Sequence, residues 1–119
     1  MKQRGRPKAG ESEQLPLIVK IHADWCSRCQ AIEPTWQRIE KELGDEARIV
    51  VLDVTDETRL QAAQATAKEL GLESFFVANR SRTGTVAIFK PGSATPAKLL
   101  YGEKNFEMYE TALKAISAA

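Results

Sequence analysis

The chain has 119 residues and a formal net charge of +1, with 43% hydrophobic and 28% charged residues. This length suits one domain with a single hydrophobic core, and the near-neutral charge argues against a partner selected by bulk electrostatics. No apolar stretch approaches the ~20 residues of a membrane span, and none follows the basic N-terminus, so we expect neither a membrane anchor nor a secretory signal.

The residues fall into a polar arm and one domain of alternating strands and helices. Residues 1–14 contain almost no apolar side chains, which predicts a flexible arm ahead of a domain at residues 15–119. Alternating and helical periodicities predict four strands and four helices. The predicted strands are Leu17–Ala23, Arg48–Val54, Thr85–Lys90 and Ala97–Tyr101. The predicted helices are Cys26–Leu43, a helix from Thr55 or Asp56 to Leu70, a short helix around Phe75-Phe76-Val77, and a helix from Phe106 to Ile116. The main order β-α-β-α-β-β-α predicts an α/β fold, a central mixed sheet with helices on both faces.

The only two cysteines, Cys26 and Cys29, lie two residues apart directly after the first predicted strand. If Cys26 lies at the helix N-terminus, unpaired N–H groups and the helix dipole favour its thiolate, and Cys29 faces the same way one turn later. A closed zinc site needs four ligands, and His22 is the only histidine, so we expect no metal within one chain. A purely structural disulfide is disfavoured because so short a loop removes little chain entropy. The spacing therefore indicates redox chemistry in a reducing compartment, and we expect a cytoplasmic protein.

The element order, the stretch Ala23–Cys29 (Ala-Asp-Trp-Cys-Ser-Arg-Cys) and Pro34 after the second cysteine resemble the thioredoxin family over about residues 17–116. The family's N-terminal strand and helix have no counterpart, and the polar arm takes their place. The resemblance implies a thiol–disulfide oxidoreductase that acts on protein disulfides. Cys26 would be the nucleophile and Cys29 the resolving thiol, with an external electron donor or acceptor and no cofactor. We expect a monomer whose site is also shaped by Trp25.

Two departures from the family pattern concern charged residues near the cysteines. Ser27-Arg28 stands where thioredoxins usually have Gly-Pro, and Arg28 is either a cation beside the thiolate or an exposed arginine on the helix surface. Lys20 stands where thioredoxins have a buried acid. It could be buried and neutral and accept a proton, be charged and favour both thiolates, or reach solvent along the strand.

The third departure is the glycine at position 84, where the family has a cis-proline facing the cysteines. We expect a trans peptide bond and a positive φ at Gly84. The preceding residue binds substrate backbone in the family, so the resemblance implies a substrate-binding role for Thr83 and Gly84. His22 falls where the family often has an aromatic residue, and it is either a core or rim histidine or a group that tunes Cys26.

Two alternative functions remain open from the sequence. The segment Lys2-Gln3-Arg4-Gly5-Arg6-Pro7-Lys8 resembles an AT-hook, which would make the domain a binding module with a DNA-binding arm, although a solvated basic tail is the expected reading. With glycine at position 84, two chains could instead share a metal ion or iron–sulfur cluster through four cysteines.

Overall fold

The computed structural model describes residues 15–118. The predicted arm at 1–14, with its AT-hook-like segment, lies outside the described residues and stays a prediction. None of the helices among residues 15–118 has the length and apolar character that a membrane span requires.

Four strands form one mixed sheet in the order β2-β1-β3-β4. In the two central strands, β1 and β3, every residue is buried except His22 at the end of β1, which is half-buried. Strand β1 is parallel to β2 and antiparallel to β3, and β3 is antiparallel to β4, with these bounds: β1 Leu17–His22, β2 Arg48–Asp53, β3 Thr85–Phe89 and β4 Lys98–Tyr101. The predicted mixed sheet is confirmed.

Four helices cover the two faces of this sheet: α1 Ser27–Leu43, α2 Glu57–Glu69, α3 Glu73–Asn79 and α4 Phe106–Ala118. The short helix expected around Phe75–Val77 is α3. Helices α1 and α4 bury their apolar stripes against Ile18 and its neighbours on one face, and α2 and α3 pack against Val19 and Ile21 on the other. Because side chains alternate along a strand, Lys20 points to the same face as Ile18, towards α1.

Candidate active site

The two cysteines lie where β1 runs into α1. Cys26 is the N-cap of α1, with an extended backbone (φ −89°, ψ 118°), and its N–H donates to the carbonyl of Ala23. Its Sγ accepts the N–H of Cys29 at 3.4 Å, as an N-cap side chain does. Both thiols are free; Cys26 is 6% exposed and Cys29 is fully buried. The predicted position of Cys26 at a helix N-terminus is confirmed, and the helix begins one residue later.

The pKa of Cys26 is lowered because hydrogen bonds to its sulfur outweigh burial. Burial alone would raise it, but the Thr83 hydroxyl, the Cys29 thiol and the N–H groups of Cys29 and Arg28 all stabilise the negative sulfur. The backbone donors belong to the first turn of α1, whose N–H groups have no partner within the helix. Cys26 is therefore the thiol that ionises more readily.

The pKa of Cys29 is shifted in the opposite direction from that of Cys26. Burial, followed by the hydrogen bond and charge of Cys26, raises the pKa of Cys29, although a backbone hydrogen bond from Ala23 and the charge of Lys20 oppose the change. Its Sγ lies 3.7 Å from the carbonyl oxygen of Ile21, which is a second acceptor for the one S–H that can also donate to Cys26. The pair thus contains one thiol whose pKa is lowered and one whose pKa is raised.

Lys20 is buried and ion-paired. Its side chain is 1% exposed, and its Nζ lies 3.2 Å from Oε1 of Glu33 on α1 and 5.4 Å from the ring centroid of Trp36. The interpretation in which Lys20 reaches solvent along the strand is therefore wrong. Its positive charge lowers the pKa of Cys29 and is not among the largest causes that shift the pKa of Cys26.

Thr83 lies beside Cys26, and Gly84 lies against the side chain of Arg28, which stands between the two cysteines in sequence. Gly84 has φ +94°, and no cis peptide bond occurs among residues 15–118, so both expectations for this position are confirmed. The N–H of Gly84 donates to the carbonyl of Ile21, and its own carbonyl accepts from Gly102. Thr83 is buried, and its hydroxyl is the first of the hydrogen-bonding groups that lower the pKa of Cys26.

Arg28 lies across two glycines instead of pointing its charge at Cys26. A Cβ on Gly84 or Gly102 would lie 2.8 or 2.9 Å from the Arg28 Cδ, so the aliphatic stem fills the space that both glycines leave. The guanidinium donates to the carbonyl of Thr83 at 3.4 Å and stacks on the ring of Tyr101 at 4.3 Å. What Arg28 contributes to Cys26 is its backbone N–H.

Trp25 is 64% exposed beside Cys26, and its indole N–H donates to the carbonyl of Thr55 at 2.9 Å. The N–H of Asp24 donates to the Thr55 hydroxyl at the same distance. These two bonds tie the loop that carries Cys26 to the loop that follows β2. An exposed indole fixed beside a buried thiol provides a flat apolar surface for a partner.

The contact that the structure gives the His22 side chain is with Asp24, and a role of His22 in tuning Cys26 stays a prediction. Its Nε2 lies 2.9 Å from Oδ1 of Asp24, whose pKa is lowered by this bond and by Arg59 at 2.8 Å. Oxygen and nitrogen atoms of His22, Asp24 and Asp53 lie within 4.8 Å of one another, a donor set that suits a metal ion. Arg59 already lies against both carboxylates, so the positive charge at this cluster is a guanidinium.

Three residues of the site were missed in the sequence. Glu33 follows Cys29 by four residues, which places both on one face of α1, and this spacing was the available signal. Tyr101 and Thr55 come from distant segments of the chain, and no local pattern marks them.

Residues 9–74 match the sequence model of the Thioredoxin family. The chain is 26% identical over 91 residues to the thioredoxin of Rickettsia prowazekii, covering 76% of this chain and 73% of that protein. It is 28% identical over 78 residues to protein disulfide-isomerase 2-3 of Arabidopsis thaliana, covering 66% of this chain and 14% of that much longer protein.

Solved structures show the same fold. A single-site mutant of the thioredoxin from Halobacterium salinarum superimposes with a TM-score of 0.59 at 16% identity, covering 89% of this chain and 78% of that one. The thioredoxin of Fasciola hepatica gives 0.58 at 18% identity, with 88% and 85% covered. Fold, cysteine motif and sequence match agree, and the chain belongs to the thioredoxin family.

Proposed function

We propose that the protein is a thiol–disulfide oxidoreductase that exchanges its Cys26–Cys29 dithiol with disulfides of protein substrates. The observation that carries the proposal is the contrast between the two thiols: Cys26 caps the N-terminus of α1, and Cys29 is fully buried behind it. The pKa of Cys26 is lowered at the helix N-terminus and that of Cys29 is raised by burial. Since a thiolate is the attacking species in disulfide exchange, this asymmetry assigns the order of the two steps.

The reaction transfers two electrons from the protein to the substrate. The Cys26 thiolate attacks one sulfur of the substrate disulfide, forms a mixed disulfide and expels the other sulfur as a thiolate. Cys29 then loses its proton and attacks Cys26 Sγ, which forms the Cys26–Cys29 disulfide and expels the second substrate sulfur. The two substrate thiolates take up two protons, and an external dithiol donor returns the protein to its reduced form.

The charge of Lys20 supports the second step. Cys29 must ionise within a buried environment, and Lys20 is the charged group that lowers its pKa there. Once Cys26 is part of a mixed disulfide, its negative charge no longer opposes ionisation of Cys29. The two effects together make Cys29 a nucleophile after the first step has occurred.

Two cysteines in the whole chain support action in a reducing compartment, and we place the protein in the cytoplasm. The full burial of Cys29 does not favour the alternative of a metal or iron–sulfur cluster shared between two chains, because a shared cluster needs both sulfurs at the surface.

The test compares two variants, Cys26→Ser and Cys29→Ser. With dithiothreitol as reductant and a disulfide-linked peptide as substrate, Cys26→Ser should abolish turnover. In a single turnover without dithiothreitol, which would itself reduce a mixed disulfide, reduced Cys29→Ser should complete the first step and accumulate a mixed disulfide with the peptide, visible by mass spectrometry. Full activity of Cys26→Ser, or trapping by Cys26→Ser instead of Cys29→Ser, would contradict the proposal.

A further inference from the structure

Two arginines share one exposed aromatic ring beside the cysteine pair. The guanidinium carbon of Arg28 lies 4.3 Å from the ring centroid of Tyr101, and that of Arg82 lies 4.9 Å from it. Tyr101 is 46% exposed, and both arginines are exposed. We call these three residues the arginine–tyrosine surface.

Both guanidinium groups lie free of ion pairs with the described part of the chain. The salt bridges within residues 15–118 include neither Arg28 nor Arg82. Glu103, which is close in sequence to Tyr101, uses its carboxylate to accept the N–H of Asn105 at 3.0 Å. The other carboxylate near the motif, Asp24, is paired with His22 and Arg59. The arginine–tyrosine surface therefore carries two positive charges that no described carboxylate neutralises.

This surface borders the path by which a substrate disulfide reaches Cys26. Arg82 directly precedes Thr83, whose hydroxyl lowers the pKa of Cys26, and Arg28 lies in the first turn of α1. The Arg28 guanidinium also contacts the carbonyl of Thr83, so the two cations lie on the Thr83 side of Cys26, where residues next to a bound disulfide could meet them. Aromatic stacking orients a guanidinium without using its N–H donors, which stay available for a carboxylate.

The hydrogen bond from Arg28 to the Thr83 carbonyl is weak enough for another acceptor to replace that carbonyl. Its Nη1 lies 3.4 Å from the Thr83 carbonyl oxygen, which is long for a hydrogen bond and hence weak. A carboxylate accepts from a guanidinium more strongly than a carbonyl does. An acidic side chain of the substrate would thus draw Arg28 away and leave the Thr83 carbonyl free for the substrate backbone.

We propose that the preferred substrates are disulfides in acidic peptide segments, with a carboxylate next to the reacting cysteine bound by Arg28 and Arg82 over the Tyr101 ring. This inference rests on the proposed function. It adds a substrate class and leaves the exchange chemistry unchanged.

The experiment uses three peptides with the same disulfide, flanked by Glu, Gln or Lys, and measures kcat/KM for their reduction with dithiothreitol as donor. The wild type should reduce the Glu peptide fastest and the Lys peptide slowest, and the ratio should shrink as salt is added. Arg82→Gln and Arg28→Gln should each lower the Glu-to-Lys ratio about threefold, the size of an exposed ion pair.

Charge reversal and a conservative change separate electrostatics from structure. Arg82→Glu should shift the preference towards the Lys peptide, whereas Arg82→Lys should keep the preference for Glu. The control is Lys90→Gln, which removes one positive charge from the exposed residue after β3, at the opposite end of β1 from Cys26, and should leave the ratio unchanged.

Equal rates for the three peptides, or variants that lower all three rates by the same factor, would overturn the acidic preference and leave the proposed function intact. A wild type that reduces none of the peptides would instead contradict the proposed function itself, and the substrate class with it.

Discussion

The ion pair between Lys20 and Glu33 gives the sharpest test of how this fold tolerates a charge beneath its active site. The Lys20 side chain is 1% exposed, whereas that of Glu33 is 43% exposed. Glu33→Ala would leave a buried ammonium with the Trp36 ring as its remaining described partner. An unpaired buried charge costs about 3 kcal/mol, so we expect the free energy of unfolding to fall by about that amount.

Lys20→Met should behave differently, although it breaks the same ion pair. The methionine fills an apolar environment against Trp36, and the half-exposed Glu33 carboxylate turns to solvent. Replacing a buried charge by an apolar side chain of similar volume is often neutral or stabilising by about 1 kcal/mol or more. The double variant should then be about as stable as Lys20→Met, so the two effects are not additive.

Urea denaturation measures these differences. With an m value of about 1.5 kcal/mol/M, the midpoint of Glu33→Ala should fall by about 2 M. The matched control is Glu42→Ala on the same helix, because Glu42 is equally exposed but its partner Arg38 is exposed too, and the loss should stay below about 1 kcal/mol. If Glu33→Ala is as stable as Glu42→Ala, or Lys20→Met is as unstable as Glu33→Ala, the reasoning is refuted.

Three substitutions, among them Lys20→Met again, test the site. Thr83→Val removes a hydrogen bond to the Cys26 sulfur, so the pKa of Cys26 should rise and the pH profile of activity should move to higher pH; an unchanged thiolate absorbance titration would contradict this. Since the folded-state pKa of Cys26 is lowered, its contribution to stability is present above the pKa of an unfolded cysteine and lost as pH falls through the folded value, and Thr83→Val should reduce this pH dependence. Lys20→Met should raise the pKa of Cys29 and slow resolution of the mixed disulfide without shifting the Cys26 titration; a shift at Cys26 would show that the charge acts on both thiols. Gly84→Ala should lower the free energy of unfolding by about 1–2 kcal/mol in urea, because alanine disfavours φ +94° and its Cβ would collide with the Arg28 stem. Adding Arg28→Ala should recover the part due to the collision, and a double variant as unstable as the sum of both would exclude that contact as a cause.

The fold could be predicted because its signals are local. The apolar spacing of Ile32, Trp36, Ile39 and Leu43 predicts one buried face of α1, and all four residues are buried in the structure. Gly84 could be assigned a positive φ because few other residues adopt that conformation readily. The predicted elements agree with the structure to within about one or two residues at their ends, where assignments commonly differ.

The charge arrangement around the cysteines could not be predicted, because it depends on side chains from separate elements. The sequence left three alternatives for Lys20, and the choice among them required knowing that Glu33 on α1 packs over β1. The orientation of Arg28 depends in the same way on Tyr101, which belongs to the far edge strand of the sheet. Burial follows from periodicity, but the partner of a buried charge follows from tertiary structure.

Two of the departures from the family pattern, at positions 28 and 84, contact each other in the structure and depend on each other. In the sequence, Arg28 between the cysteines and Gly84 in place of the proline look like independent changes. In the structure, the Arg28 stem occupies the space where any Cβ at position 84 would lie, at 2.8 Å from its Cδ and Cγ. Arg28 can lie over the loop before β3 because residue 84 is a glycine without a Cβ. Gly84 is covered in turn because the long side chain of Arg28 lies over it. The site therefore has a long charged side chain beside the cysteines where the family pattern has a rigid proline ring.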